Sequence, residues 1–391
     1  MSSWKQVRFS EICDITRGGS PRPIQEYMTN DGVPWIKISD ATASNSRFIE
    51  KTKEFIKTSG ISKSREVFPD DLILSNSATP GIPKFMRIYA CIHDGWLLLR
   101  NFNGAEKEFI YWLLLNERDK LIQQGNGSVF TNLKTDILKN HIVNIPDDIE
   151  EQKRIATILN NIQEKIELNT QINQTLEQIA QTIFKSWFID FDPVHAKANA
   201  LASGQTLEQA TQAAMAVISG KNTQELHRLQ TANPEQYQQL WEIAEAFPSG
   251  FSGYKNLGEI PIGWNVLTFK DFISESKEKI GSLEDVPEYS VGNEGIYPRS
   301  EKYNKSLSKT PEKNKVVRIG DLVFGMGSKT LNWGIMNDEI GSVSPAYFVY
   351  RIFTNINYIY LNKYIKAKEY DFQNLIKPTS RQGQSVDIKK Y

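Results

Sequence analysis

The sequence is poor in the features that mark secreted and membrane proteins. Its 391 residues include two cysteines, Cys13 and Cys91, which is too few for a disulfide framework and indicates a reducing compartment. The N-terminal residues lack the apolar core of a signal peptide, and no uncharged apolar run approaches the length of a membrane span. We therefore expect a cytoplasmic protein without a membrane segment.

The chain also lacks a net charge, because 46 basic residues balance 46 acidic ones. A non-specific nucleic-acid binder normally has a basic excess, so the total counts against that class. The distribution is uneven, however. Residues 151–253 hold 7 basic and 11 acidic side chains, whereas residues 254–391 hold 20 and 16, with seven of the basic ones between 299 and 318. The sequence is locally basic and globally neutral.

Complete catalytic motifs are missing as well. Gly325–Thr330 resembles a phosphate-binding loop, but a serine separates the glycine from the lysine, and Ser344–Tyr347 has alanine where amino-methyltransferases have a second proline. The histidines and cysteines do not have metal-ligand spacing. Asp190 and Asp192, near His195, are better explained as helix caps and turn formers. We expect no catalysis by this chain and no metal or cofactor bound to it.

The clearest structural signal is a long amphipathic helix. From Glu150 to Phe188 there is no proline or glycine, and apolar residues recur in steps of three and four, which is typical of a coiled coil. Such a helix would be roughly 58 Å long at ~1.5 Å per residue. Asn169 and Asn173 interrupt the apolar stripe at two successive positions. This polar pair either fixes the register with a partner helix or lies at the wet edge of a broad stripe. The positions predicted to face a partner subunit are Ile155, Leu159, Ile162, Ile166, Asn169, Leu176, Ile183 and Trp187.

The two ends of the chain resemble each other. Three pairs of segments match in the same order at nearly one offset, namely Trp4–Phe9 with Trp264–Phe269, Val67–Ser75 with Val317–Gly325 and, loosely, Gly127–Ile137 with Thr379–Ile388. The predicted fold is α/β (α+β), with two related globular domains separated by a long coiled-coil-like helical region. The predicted parts are domain 1 (1–146), a central helix (147–192), a helical insert and linker (193–253) and domain 2 (254–391).

Loops in both domains carry side chains suited to base edges or phosphates. Arginine and lysine suit guanine, asparagine and glutamine suit adenine, and glycine lets the backbone approach a phosphate. Ordinary solvated surface is the alternative for any single loop. The predicted DNA contacts are Arg17, Ser20, Arg22, Ser75, Asn76, Lys84, Ser128, Asn132 and Lys134 in domain 1, and Arg299, Lys302, Lys305, Lys329, Asn332, Arg381 and Gln382 in domain 2.

Three segments resemble one known family. Glu150–Ala156, Phe184–Lys197 and Leu257–Trp264 are similar to conserved stretches of the specificity (S) subunits of type I restriction-modification systems. The resemblance implies two target recognition domains, each reading one half of a bipartite site in double-stranded DNA. It also implies modification (methyltransferase) subunits that use S-adenosylmethionine, and restriction subunits that use ATP and Mg.

The C-terminus departs from this family pattern. A second long helix is expected after Asp387, but only Ile388–Tyr391 follows. We therefore expect the apolar face of the central helix to pair with a second copy of the chain or with a modification subunit. The alternative function is a non-catalytic coiled-coil scaffold or interaction protein.

Overall fold

The computed structural model describes residues 3–43, 46–124, 132–254, 258–303, 305–325, 332–353, 356–373, 376–377 and 385–386. The chain divides into two compact units, Met1–Gln174 and Thr175–Tyr391. The division falls inside the long helix, so each unit includes part of it. Within the described residues, no helix is both long and apolar enough to cross a membrane.

The first unit is a mixed α/β unit. Its strands are β1 (Trp4–Arg8), β2 (Asp14–Arg17), β3 (Met28–Thr29), β4 (Val33–Ile36), β5 (Phe48–Ile49), β6 (Phe55–Ile56), β7 (Arg65–Val67), β8 (Leu72–Ser75), β9 (Pro83–Met86), β10 (Ala90–Ile92), β11 (Trp96–Arg100) and β12 (Ile142–Pro146). Its helices are α1 (Phe9–Ile12), α2 (Ile38–Ala41), α3 (Lys107–Gln124), α4 (Thr135–Asn140) and the beginning of α5 (Ile149–Phe188).

The second unit begins with helices and continues with strands. After α5 come α6 (Asp192–Ala202), α7 (Leu207–Ser219), α8 (Thr223–Ala232) and α9 (Pro234–Ala246). The strands are β13 (Phe251–Tyr254), β14 (Gly258–Pro261), β15 (Ile273–Ser276), β16 (Tyr289–Gly292), β17 (Gly295–Pro298), β18 (Lys315–Arg318), β19 (Leu322–Gly325), β20 (Asn332–Ile335), β21 (Ile340–Val343), β22 (Phe348–Ile352), β23 (Ile376–Lys377) and β24 (Ser385–Val386). Helices α10 (Tyr358–Ala367) and α11 (Glu369–Gln373) follow β22.

The core of the first unit lies on both faces of one sheet. This sheet has the strand order β2-β11-β8-β9-β5, and a second sheet has the order β3-β6-β4-β10-β7. Successive side chains of a strand point to opposite faces. Accordingly, Leu72 and Leu74 pack in the cluster that includes Leu114 of α3, whereas Ile73 packs with Ile92 of the second sheet. Burial on both faces explains why the first three residues of β8, Leu72–Leu74, are all apolar.

The same arrangement recurs in the second unit. The sheet β15-β22-β19-β20 repeats the order β2-β11-β8-β9, and β18 pairs with β21 as β7 pairs with β10. In α10, the buried residues Leu361 and Ile365 stand 251 positions after Ile110 and Leu114 of α3, which are fully buried. The two globular parts are therefore related in fold, as the sequence offset predicted.

One turn shows how closely the two parts agree. Two positions before β8 stands Asp70, with a φ of 75°, and two positions before β19 stands Gly320, with a φ of 83°. The backbone amide of Asp70 donates to Met86 O at 2.7 Å, and that of Gly320 donates to Met336 O at 2.8 Å. A left-handed residue at this point reverses the chain into the strand in both units.

An ion pair follows this turn in each unit. Asp71 accepts a hydrogen bond from Arg100 Nε at 2.8 Å, and Asp321 accepts from Arg351 Nε at 3.2 Å and from Nη2 at 3.1 Å. Each pair joins neighbouring strands, β8 to β11 and β19 to β22. The aspartate side chains are 13% and 2% exposed. We call these two contacts the Asp–Arg clamps.

The helical insert is built of four helices, where the sequence predicted two or more. Asn233 caps the next helix, with Pro234 in its first turn, and so separates α8 from α9. The ammonium group of the buried Lys197 donates to Ala244 O at 3.0 Å and Phe247 O at 2.7 Å. A cation that binds the free carbonyls of the last turn stabilises a helix end. Lys197 therefore ties α6 to the end of α9.

Within the second unit, α5 contacts α10 through a carboxylate. Glu177 Oε2 lies 2.7 Å from Lys363 Nζ, and Oε1 lies 3.0 Å from Lys366 Nζ. The hydrogen bond from Lys363 and the second ammonium lower the pKa of Glu177 to about 2. The contact is therefore strongest where the carboxylate is ionised.

Replacing this carboxylate should produce a pH-dependent loss of stability. Because the pKa of Glu177 is lowered on folding, its contribution is present above pH 4.5 and is lost as the pH falls to about 2. We expect Glu177→Gln to lower the free energy of unfolding by up to about 1 kcal/mol near neutrality, since the pair is partly exposed. Urea unfolding of both proteins across this pH range should show the difference shrinking. A constant difference would contradict the assignment.

Candidate nucleic-acid interface

Lys84 is buried and not available to DNA. Its side chain is 4% exposed, and its ammonium group donates to the backbone oxygen of Ser46 at 2.5 Å. Burial lowers the pKa of the Lys84 amine. The prediction that Lys84 contacts DNA is wrong for this structure, because the side chain lies inside the first unit.

Ser75 and Asn76 are also interior residues. They are 0% and 4% exposed. The hydroxyl of Ser75 donates to Thr79 O at 2.6 Å, and the amide of Asn76 donates to Asp94 O at 3.3 Å. Both side chains therefore hold the loop after β8 in place, and their predicted DNA contacts are corrected accordingly.

Three other predicted residues meet at Asp94. Arg17 Nε donates to the backbone oxygen of Asp94 at 2.8 Å, and Ser20 Oγ donates to its carboxylate at 2.8 Å. Arg22, whose side chain is 82% exposed, lies 3.8 Å from the same carboxylate. Burial raises the pKa of Asp94, but the Ser20 hydroxyl and the nearby cations outweigh it, so the pKa lies below its ordinary value. The result is a basic, hydrogen-bonded surface at the end of β2.

A cavity of about 520 Å³ adjoins this surface. It is lined by Ser20–Gln25, Trp35 and His93. His93 lies against the edge of Trp35, with ring centroids 5.3 Å apart, and burial lowers the pKa of the imidazole. The cavity combines an apolar wall with the cationic rim formed by Arg17 and Arg22.

The sequence did not single out a lysine beside this rim. Lys63 Nζ lies 4.8 Å from the centre of the Tyr27 ring and donates to the Tyr27 hydroxyl at 2.5 Å. The neighbouring Arg65 donates to Arg17 O at 3.4 Å. These cations join the same exposed surface. Only the tertiary placement of Tyr27 reveals them, because Tyr27 and Lys63 lie far apart in the sequence.

The remaining predicted contacts in the first unit lie before α4. Asn132 and Lys134 are exposed, and Lys134 is the residue just before the helix. Ser128 lies outside the described residues, as do Lys329, Arg381 and Gln382 of the second domain.

In the second unit, Arg299 is held by three neighbours. Its guanidinium lies 4.4 Å from the centre of the Tyr303 ring. Nε donates to Lys305 O at 3.0 Å, and Nη1 donates to Ser290 Oγ at 3.2 Å. Stacking on an aromatic ring combined with two hydrogen bonds fixes the orientation of a long side chain.

Lysines surround this arginine. Lys302 Nζ lies 4.2 Å from the centre of the Tyr297 ring, and Lys302 and Lys305 are exposed. Among the described residues, no carboxylate lies within 4.0 Å of the charged groups of Arg299, Lys302, Lys305, Lys309 or Lys313. We call these five residues the basic segment. Asn332, predicted as a further contact, is half-buried at the start of β20, where it pairs with β19.

The long helix presents an apolar stripe to solvent. Ile162, Ile166, Leu176 and Ile183 are 42–57% exposed, and Asn169 is exposed between them. At the two ends of the predicted stripe, Ile155, Leu159 and Trp187 are half-buried.

Three of the predicted partner-facing residues are used within their own unit. Ile155 packs against the core of the first unit, and Leu159 is half-buried beside Trp112 in a groove of about 400 Å³. Trp187 contacts Phe247 edge to face, with ring centroids 5.7 Å apart. Ile155 and Trp187 are half-buried by these contacts, and their partner-facing role stays a prediction.

Comparison with known proteins defines the class to which the first unit belongs. Residues 1–178 match the family model described as "Type I restriction modification DNA specificity domain". This part of the chain therefore belongs to the DNA specificity domain family of type I restriction-modification systems.

Two curated relatives carry the comparison beyond the first unit. The chain is 35% identical over 285 residues to the type I restriction enzyme HindI specificity subunit of Haemophilus influenzae, covering 69% of this chain and 60% of that protein. It is 30% identical over 195 residues to the MjaIX specificity subunit of Methanocaldococcus jannaschii, covering 49% and 45%. The resemblance to specificity subunits is confirmed. The chain spans about half of the length of these relatives.

Solved structures of the same kind also match. One is the S subunit of a type I restriction-modification system from M. genitalium, with 11% identity, 99% of this chain and 86% of that chain covered, and a TM-score of 0.40. Another is the HsdS subunit from Thermoanaerobacter tengcongensis, with 22% identity, 42% and 38% covered, and a TM-score of 0.35.

Proposed function

We propose that this chain is the DNA sequence-specificity subunit of a type I restriction-modification complex. Each unit reads one half of a bipartite site in double-stranded DNA. The observation that carries the proposal is repetition: the sheet order and the Asp–Arg clamp of the unit that matches a DNA specificity domain recur in the second unit. Two copies of one reading fold suit a target with two parts.

The basic surfaces supply the binding chemistry. Contacts to phosphates provide most of the affinity and orient a protein on DNA, whereas contacts to base edges provide specificity. The cations of the basic segment form no close ion pair with a carboxylate among the described residues, so they can neutralise phosphates without first breaking one. Arg17 and Lys63 are further exposed cations in the first unit, and Arg22 is exposed beside them although it lies 3.8 Å from the Asp94 carboxylate.

In this proposal the chain itself is not an enzyme. Methyl transfer belongs to modification subunits that bind S-adenosylmethionine, and cleavage belongs to restriction subunits that use ATP and Mg, all in the cytoplasm. The names of the curated relatives, which are specificity subunits of type I restriction enzymes, support this division of labour. The exposed apolar stripe of α5 offers a surface for these subunits or for a second copy of the chain.

Co-expression with its modification subunit tests the proposal. We expect a stoichiometric complex that methylates adenine within one bipartite motif, found by sequencing modified bases in the host genome. Purified chain that methylates DNA unaided would contradict the non-catalytic role. A stable complex without any sequence-specific footprint on DNA would instead support the coiled-coil scaffold.

A further inference from the structure

We propose that Arg299 reads a guanine in the half-site bound by the second unit, and that Tyr303 is the residue that positions it. This inference rests on the proposed function, because it assumes that the second unit binds DNA. In this inference Arg299 contacts a base, whereas the lysines beside it contact phosphates. Amino-acid composition alone does not distinguish these two roles.

The first argument comes from the hydrogen-bond donors of Arg299. A guanidinium carries five N–H groups. The Nε–H group donates to Lys305 O, and one of the two Nη1–H groups donates to Ser290 Oγ. The second Nη1 hydrogen and both Nη2 hydrogens remain at the end of the fork. Two adjacent donors of this kind match O6 and N7 of guanine in the major groove.

The second argument comes from the absence of a competing acid. Arg100 and Arg351 direct their guanidinium groups at the buried aspartates of the Asp–Arg clamps. In the described part of the second unit, no carboxylate lies within 4.0 Å of the guanidinium of Arg299. An oriented arginine without an acidic partner keeps its fork available for an external acceptor.

The first unit offers a chemical parallel at a different point of the fold. Lys63, at the end of the 3-10 turn before β7 (Thr58–Lys63), lies over the ring of Tyr27. In the second unit the turn next to β18 is Pro311–Lys313, and Arg299, which lies over Tyr303, begins an earlier turn, Arg299–Glu301. The two contacts therefore share their chemistry and not their position in the repeat.

The two cations differ in what they can recognise. A lysine ammonium is a compact point charge that suits phosphate and lacks a fixed donor geometry, whereas the planar arginine fork presents two parallel donors to O6 and N7 of guanine. Lys302, which lies over Tyr297 beside Arg299, is therefore a phosphate contact in this scheme. It provides a matched comparison on the same surface.

Tyr303 positions Arg299 because its ring stacks on the guanidinium. The tyrosine is 48% exposed, so it contributes little to the core, yet its ring lies 4.4 Å from the guanidinium of Arg299. Removing the ring frees the arginine to adopt other rotamers, which reduces selectivity without removing the charge. A phenylalanine keeps the stacking surface.

The test uses the full chain in complex with its modification subunit. Methylated sites are mapped by sequencing, and DNA affinity is measured against salt, for the wild type and for Arg299→Ala, Arg299→Lys, Tyr303→Ala, Tyr303→Phe and Lys302→Ala. Arg154→Ala on α5, an exposed arginine that pairs with Glu151, is the control.

Both Arg299 variants should lose discrimination at one G·C pair by about 5- to 150-fold, with the other positions of the motif unchanged. Tyr303→Ala should give part of this loss, and Tyr303→Phe should restore the wild-type motif. Lys302→Ala should weaken binding to all sequences evenly and reduce the slope of log affinity against log salt by about one unit.

Three results would overturn the inference. An even loss of affinity with Arg299→Ala that Arg299→Lys restores would make this residue a phosphate contact. An unchanged motif in both variants would remove it from the interface. Equal effects of Tyr303→Phe and Tyr303→Ala would remove the positioning role. A wild-type complex that methylates DNA without a sequence motif would instead refute the proposed function. The wild-type complex is therefore measured before any variant, which separates this outcome from a failure of the inference about Arg299.

Discussion

Replacing Asp321 with alanine is expected to lower the free energy of unfolding of the second unit by about 2–4 kcal/mol. Asp321 is 2% exposed and accepts hydrogen bonds from Arg351 and from the backbone amide of Arg318. The substitution leaves Arg351 with Glu278 alone, at 3.0 Å. Removing one partner of a buried ion pair costs more than the pair contributes, because the other charge loses its compensation.

The matching substitution in the first unit makes this prediction specific. Asp71→Ala should destabilise β8 and β11, whereas Asp321→Ala should destabilise β19 and β22. Hydrogen exchange of the full chain in moderate urea reports the two sheets separately. Glu312→Ala, at an exposed carboxylate of the second unit, should change stability by less than about 0.5 kcal/mol. Loss of protection in both units, or in neither, would contradict the account of the Asp–Arg clamps.

Neutralising four lysines of the basic segment should produce the largest effect on DNA binding. In the variant in which Lys302, Lys305, Lys309 and Lys313 are all glutamine, the slope of log affinity against log salt should fall by about three to four units. Affinity at about 0.1 M salt should fall by about a thousandfold, since each phosphate contact releases close to one counterion. The sequence preference should remain, because Arg299 is retained.

A control variant that loses the same charge elsewhere in the chain distinguishes direct contacts of the basic segment from an effect of total charge on DNA binding. Four lysines of the helical part of the chain, namely Lys153, Lys165 and Lys185 of α5 and Lys221 between α7 and α8, are replaced by glutamine. Both variants are compared in complexes of verified stoichiometry. We expect the helix variant to keep most of the wild-type slope. An equal loss of affinity in the two variants would mean that total charge, and not the basic segment, drives binding.

Much of the architecture was predictable from the sequence because it depends on local patterns. The absence of proline and glycine and the spacing of apolar residues predicted α5, which runs from Ile149 to Phe188. The offset between Val67–Ser75 and Val317–Gly325 predicted the repeat, because both segments build the central strand and the turn before it. The break at Asn233 and Pro234 was not assigned, because the sequence predicted two or more helices in the insert without fixing where each one ends.

The candidate interface was less predictable, because it depends on which polar residues the fold buries. Asn76 follows β8 in a serine-rich loop and Lys84 lies in the short strand β9, yet the fold encloses both side chains. Conversely, Tyr27 and Lys63 lie 36 residues apart and meet only after the sheets have formed. The contacts of Lys302 with Tyr297 and of Arg299 with Tyr303 were missed for a different reason. The partners are close in the sequence, but the spacing does not show that the turn brings each cation over a ring.

The central claim is that two related units each read one half of a DNA target. The most direct measurement maps methylated sites for complexes that contain the wild-type chain, a first-unit variant (Arg17→Ala with Lys63→Ala) or the second-unit variant Arg299→Ala. We predict one bipartite motif for the wild type, a change confined to one half for the first variant and a change confined to the other half for the second. Changes in the same half, or a wild-type motif without two parts, would contradict the claim.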